Sequence, residues 1–225
     1  TYNETISYIV SLVEQYENGS IAAEDIASII ENLQPKVDNP QPDARWTFED
    51  ASNFMANAVA DSPFSIEPGT AGSNSYILGE NTISATAGPG YGDEGAVTIH
   101  KGDILQLNLD NTEDKGNYTL MWNLRINTHS YYHALLQTNP DNQSDGDLFI
   151  NKSGQVGLGI GGFGYGGVVT PNEWHTIALT VKDGVPTSYM DGAILVEGSK
   201  VLENFKLMGG YCLLFGDDNF EFHDI

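Results

Sequence analysis

Hydrophobic positions along the chain change period near Pro35. Before it, Ile6, Ile9, Val10 and Val13 recur at helical spacing and Gly19 supplies a stop, which predicts one amphipathic helix. Ser20 caps a second, whose apolar stripe runs through Ala22, Ile26, Ile29, Ile30 and Leu33 until Pro35 ends it. Joined through Asn18-Gly19-Ser20, the two make a small α-helical hairpin over residues 1–35. Its role is either docking and spacing or packing against the domain C-terminal to it. The proline-rich polar stretch 36–43 reads as a linker.

From Ala44 to Ile225 the period falls to two. The pattern predicts strands at 96–99, 118–126, 134–137, 147–150, 155–158, 174–181, 187–190 and 211–215. Residues 49–60 have room for a helical turn. In the 174–181 segment Ile177, Leu179 and Val181 fall on one face, and Trp174, Thr176, Ala178 and Thr180 on the other, as in a half-buried antiparallel strand. Asp183-Gly184 and Asp191-Gly192 are hairpin turns. Many short strands punctuated by Gly, Asn and Asp predict a mainly β, two-sheet antiparallel jelly-roll sandwich.

Charge narrows the partners. Thirty-one acidic residues against nine basic ones give a net charge of -22 in 225 residues, a field that repels phosphate backbones and anionic lipid. Nucleic acid and direct membrane insertion are therefore not expected, and no apolar run approaches the roughly 20 residues that span a bilayer. Neither a basic n-region nor an apolar h-region opens the chain. The lone Cys212, inside Tyr211-Cys212-Leu213-Leu214-Phe215, reads as a packed, inert thiol.

Several motifs fail on context. Gly157-Leu158-Gly159-Ile160-Gly161-Gly162 has the letters of a dinucleotide fingerprint but is followed by Phe163-Gly164-Tyr165-Gly166-Gly167, which opens no helix. A tight glycine-rich loop fits better. His129 and His133 lie about 13 Å apart in an extended segment, too far to share one zinc. His175 reads as a sheet-surface histidine, and Trp46, Trp122 and Trp174 as core.

The run Asn172-Glu173-Trp174-His175-Thr176-Ile177-Ala178-Leu179-Thr180-Val181-Lys182-Asp183-Gly184, followed by Tyr189-Met190-Asp191-Gly192, resembles the central hairpin of bacterial laminin-G-like domains of the concanavalin A-like lectin/glucanase superfamily. Trp46-Thr47-Phe48-Glu49 resembles the opening strand, Tyr118 to Arg125 the aromatic and apolar strand, and Leu214 to Asp218 the approach to the closing strand. The chain stops at Asp224-Ile225, where such domains usually run on, so a short or truncated closing strand is expected. The helical extension is similar to those of Bacteroides-type surface proteins.

The resemblance implies an extracellular or cell-surface location, with a lipid anchor on a removed N-terminal segment as one route. It also implies glycan or polysaccharide as partner, with another surface protein as an alternative. The Glu-x-Asp-x-x-Glu strand of the laminarinase branch is absent, and Glu221 and Asp224 fall on opposite faces of a strand. A non-catalytic carbohydrate-binding module is the expectation, with an adhesion domain and a glycoside hydrolase of unrecognised carboxylate pair as alternatives. Sugars stack their C–H faces on aromatic rings, so Tyr131, Tyr132, Phe163 and Tyr165, with Asn139, Asp141 and Asn142 beside them, are the candidate ligand contacts. Each equally suits a core or sheet-surface place. Structural calcium, which takes about six to eight oxygens, would use Glu49, Asp217, Asp218, Asn219 and Asp224 if the first and last strands adjoin; an Asp-Asn turn is the alternative.

Overall fold

The computed structural model describes residues 15, 16, 18–20, 22, 41–50, 52–69, 83–85, 90–92, 94–100, 103–109, 115–139, 147–159, 162–207 and 210–215. The chain divides into two compact units, Thr1–Gln41 and Pro42–Ile225. In the first, the helical turn at Gln15 and Tyr16 ends as the sequence predicts. Gly19 takes φ 76°, its N–H donates to the Tyr16 carbonyl, and the Ser20 N–H donates to the Gln15 carbonyl. That pair of bonds is a Schellman C-cap. The remainder of the expected hairpin lies outside the described residues.

The second unit is mainly β, with every described strand pair antiparallel. Its strands are β1 (Ser65–Pro68), β2 (Ser84–Ala85), β3 (Val97–Thr98), β4 (Leu105–Asn108), β5 (Tyr118–Leu124), β6 (His133–Gln137), β7 (Asp147–Ile150), β8 (Val156–Leu158), β9 (Gly164–Gly166), β10 (His175–Lys182), β11 (Val185–Met190), β12 (Ala193–Glu197) and β13 (Tyr211–Leu214). Among the described residues one sheet runs β1-β4-β13-β6-β7-β8-β9, a second runs β12-β11-β10-β5, and β2 pairs with β3 alone. Strand order departs from chain order as it does in a jelly roll: β13 sits between β4 and β6, and β10 between β5 and β11.

The core is built from inward-facing alternate residues. Trp122 and Leu124 of β5, Ile177, Leu179 and Val181 of β10, and Leu136, Leu148, Ile150 and Val156 of the larger sheet form one buried cluster with Phe163, Phe205 and Cys212. Burial pushes the Cys212 thiol up to about 12, in line with the packed thiol expected from sequence. Both Asp-Gly turns form as expected, with left-handed pairs at Asp183 (φ 51°) and Gly184 (φ 78°) and at Asp191 (φ 51°) and Gly192 (φ 82°).

Some expectations need correction. Residues 49–60 form single turns, closed by Asn53 N–H to the Asp50 carbonyl and Ala56 N–H to the Asn53 carbonyl, because nothing continues the ladder. Among the described residues Trp46 to Glu49 joins no strand ladder; Phe48 takes φ 56°, and its carbonyl lies so near Gly95 that a Cβ there would stand 2.1 Å from it. Strands β1, β2, β4, β9 and β12 were not among those expected. Strand β9 is Gly-Tyr-Gly, legible only as a loop, and it pairs because Gly157 lets β8 approach: a Cβ on Gly157 would stand 2.0 Å from the Gly164 carbonyl oxygen.

Candidate functional site

The four-stranded sheet turns one face to the core and the other to solvent. Register lines up the outward residues into rows that cross the strands. Met121, Ala178, Tyr189 and Ile194 are partners across β5, β10, β11 and β12. Met121 is 67% exposed and Ile194 58%, and none of the four packs against the core cluster. The row spans three strand spacings, about 14 Å.

Polar rows lie on either side, each two residues along the strands and so about 7 Å away. On one side Thr176 Oγ1 donates to Asn123 Oδ1 at 2.8 Å, with Asp191 continuing the row. On the other stand Thr119, Thr180 and Thr187, with Glu197 at the end. The result is an apolar stripe between two rows of amide and hydroxyl groups on an open surface.

Beyond the Asn123 row, where β5 and β10 emerge, Arg125 holds its guanidinium 5.4 Å from the Trp174 ring centroid. Tyr91, itself 43% exposed, meets the same indole edge-on at 6.3 Å. Trp174 is half-buried and outside the core cluster, which corrects the expectation that it is a core residue. The alternation over 174–181 had already put it on the face opposite Ile177. Trp122, by contrast, is in the core, and Trp46 packs partly against it.

Beneath the corner, the hairpin is fastened by its own side chains. Thr170 N–H donates to His175 Nε2 at 3.1 Å, so that nitrogen is the acceptor and the proton sits on Nδ1. His175 Nδ1 then donates to Asp191 Oδ2 at 2.8 Å, and Thr176 N–H donates to Asp191 Oδ1 at 2.9 Å. The His175 bond first, and the Thr176 bond after it, hold the Asp191 carboxyl below its ordinary value. His175 is only 9% exposed; it is a buried latch rather than a sheet-surface residue.

The residues singled out from sequence disperse. Phe163 is buried and packs edge-on against Phe205 at 5.5 Å, so it presents no ring to a ligand; its alternation as a strand-flanking aromatic gave no hint of which sheet face it would meet. Tyr132 and Tyr165 are half-buried against the core, Tyr132 edge-on to Phe149 at 5.8 Å with the Lys152 ammonium 5.6 Å from its ring. Tyr131 is 40% exposed. Asn139 follows the far end of β6, whereas Tyr131 and Tyr132 precede it, so the strand keeps them apart. Asp141 and Asn142 lie outside the described residues.

Of the calcium set, Glu49 is exposed, and Asp217, Asp218, Asn219 and Asp224 lie outside the described residues. Among the described residues no three His, Cys, Asp or Glu side chains gather as a metal site. His133 and His129 point to different carbonyls, those of Thr128 and Val169, and so act as local ties.

A row of the larger sheet is polar at one end. Glu67 Oε1 accepts from Gln106 Nε2 and Asn108 Nδ2, both at 3.0 Å, which joins β1 to β4. Register continues from Glu67 through Gln106, Leu213 and Gln137 to position 147. Four strand spacings, about 19 Å, separate its two acidic positions. A glycosidase needs its carboxyl groups about 5–10 Å apart. On the smaller sheet Asp191 and Glu197 are separated by four residues along β11 and one strand, about 14 Å. Neither row places a carboxylate pair at catalytic spacing.

No family model matches the chain, and no curated protein matches it. Solved structures do. Domain 4 of AbnA, a GH43 extracellular arabinanase from Geobacillus stearothermophilus solved with arabinotriose, is similar over 80% of this chain and 89% of its own, with TM-score 0.50 and 15% identity. A GH16 endo-glucanase from Bacteroides ovatus is similar over 75% of this chain and 93% of its own, with TM-score 0.42 and 13% identity. The carbohydrate-binding module CBM66 from Bacillus subtilis is similar over 59% and 86%, with TM-score 0.35 and 8% identity. The likeness to the arabinanase domain is one of fold.

Proposed function

We propose that the β unit is a non-catalytic carbohydrate-binding module of the laminin-G-like kind, in a secreted or cell-surface protein, and that its glycan lies on the outward face of the β12-β11-β10-β5 sheet. The observation that carries this reading is the solvent-facing stripe of Met121, Ala178, Tyr189 and Ile194 between rows of Asn and Thr side chains. Apolar surface with a tyrosine ring suits the C–H faces of sugars, and the flanking groups suit their hydroxyls. The fold shared with an arabinanase domain solved with arabinotriose is in keeping with it.

The test is affinity electrophoresis of the full chain through gels containing arabinan, β-glucan, xylan or mannan, with a reducing-end assay on the same mixtures. At least one polymer is expected to retard the chain, Tyr189→Ala to abolish the retardation, and Tyr131→Ala to leave it. New reducing ends would turn the reading to a hydrolase; free migration in every gel would end it.

A further inference from the structure

We infer that the stripe receives an extended, uncharged glycan chain lying across the strands by its internal residues, rather than a terminal sugar held in a pocket. This rests on the binding-module reading and adds the form and charge of the ligand.

Both ends of the stripe are exposed to solvent. Met121 and Ile194, the outermost residues of the row, are its most exposed members, so among the described residues a ligand reaching across all four strands meets no wall. A terminal sugar is recognised by enclosure, which buries most of its surface. Here recognition has to come from length. The stripe is about 14 Å long and bordered on both sides by hydrogen-bonding groups about 7 Å from its midline. An extended chain with apolar ring faces down and hydroxyls projecting from both edges matches that order of rows.

Charge points the same way. Met121, Ala178, Tyr189 and Ile194 are neutral, as are Asn123, Thr176, Thr119, Thr180 and Thr187 beside them. Of the charged groups on this face, Asp191 is occupied by His175 and Thr176, Arg125 sits over Trp174, Lys182 stands exposed at the end of β10 two residues past Thr180, and Glu197 ends the outer row, so two cations and two anions balance. The net charge of -22 opposes both an anionic polymer and a second copy of the chain. A hydroxyl-rich neutral chain incurs no such repulsion.

Isothermal titration of the full chain with linear arabino- and gluco-oligosaccharides of increasing length tests the inference, with polygalacturonate as the anionic probe. Affinity is expected to climb with length and level off once the chain crosses the four strands. Tyr189→Ala is expected to weaken the long oligosaccharides by about tenfold, the order of one lost ring-stacking contact, and Ile194→Asp to do the same at the far end, with unchanged circular dichroism. Equal affinity for monosaccharide and long chain would overturn the inference while leaving a carbohydrate-binding module. So would tight binding of polygalacturonate, or full affinity in the Tyr189→Ala, Ile194→Asp double variant. A concentration-dependent dimer abolished by Met121→Asp would assign the stripe to contact between copies and also overturn it. If no glycan binds at all, the inference and the module reading fall together.

Discussion

Two Asp-Gly turns with the same backbone allow the Asp191 latch to be weighed against its own control. Both aspartates take φ 51°, where a side chain other than Gly, Asn or Asp costs about 1 kcal/mol or somewhat more. The Asp183 carboxylate accepts no hydrogen bond among the described residues; only its N–H is tied, to Asn117 Oδ1. Asp183→Ala should therefore lose about 1 kcal/mol, the backbone penalty alone. Asp191→Ala loses that and the bonds from His175 Nδ1 and Thr176 N. Hydrogen bonds to charged groups contribute about 1.5–3 kcal/mol when shielded, but this side chain is 51% exposed, which brings each to about 1 kcal/mol. The sum is about 3 kcal/mol, or for a domain of this size a Tm lower by about 6–12 °C against about 2–4 °C for Asp183→Ala.

Urea titration of the three proteins at pH 7 and pH 3 reads both size and origin. Because the folded-state pKa of Asp191 is depressed, its contribution is present above the unfolded value near about 3.9 and is lost as pH falls toward the folded value. The gap between the parent and Asp191→Ala should shrink at pH 3, while that for Asp183→Ala should hold. Equal losses in the two variants, or a gap for Asp191→Ala that ignores pH, would refute the latch.

Three other outcomes are expected from the same geometry. Gly157→Ala should unfold β8 from β9 and cost more than about 3 kcal/mol, since a methyl group would collide with rigid backbone at 2.0 Å; a near-native urea midpoint would contradict the close approach. Ser188 is fully buried and its Oγ finds no hydrogen-bond partner among the described residues, so Ser188→Ala should be neutral or stabilise by up to about 1–2 kcal/mol, checked by the shift in Tm. Cys212, buried and pushed up to about 12, should resist a thiol reagent at pH 8 until urea unfolds the domain, with labelling in the native state as the adverse result.

The period of the hydrophobic pattern, the Asp-Gly pairs and the inward set Ile177, Leu179 and Val181 are local, and they determined the mainly β character, the β10–β11–β12 meander turns and the stop at Gly19. Even the outward direction of Trp174 was written in the alternation of its own strand. The rest depended on pairing between distant segments. Thr176 beside Asn123, and Met121, Ala178, Tyr189 and Ile194 in one line, exist only because β10 inserts between β5 and β11 in a fixed register, and a slip of one residue would turn the whole row to the core. The burial of Phe163 was hidden for the same reason: it looks like an exposed loop residue until Phe205, some forty positions on, packs edge-on against it. Sequence determined which strands and turns form, because those depend on neighbours within a few residues. Tertiary structure alone decided which residues share the solvent face, because that depends on partners some fifty positions away.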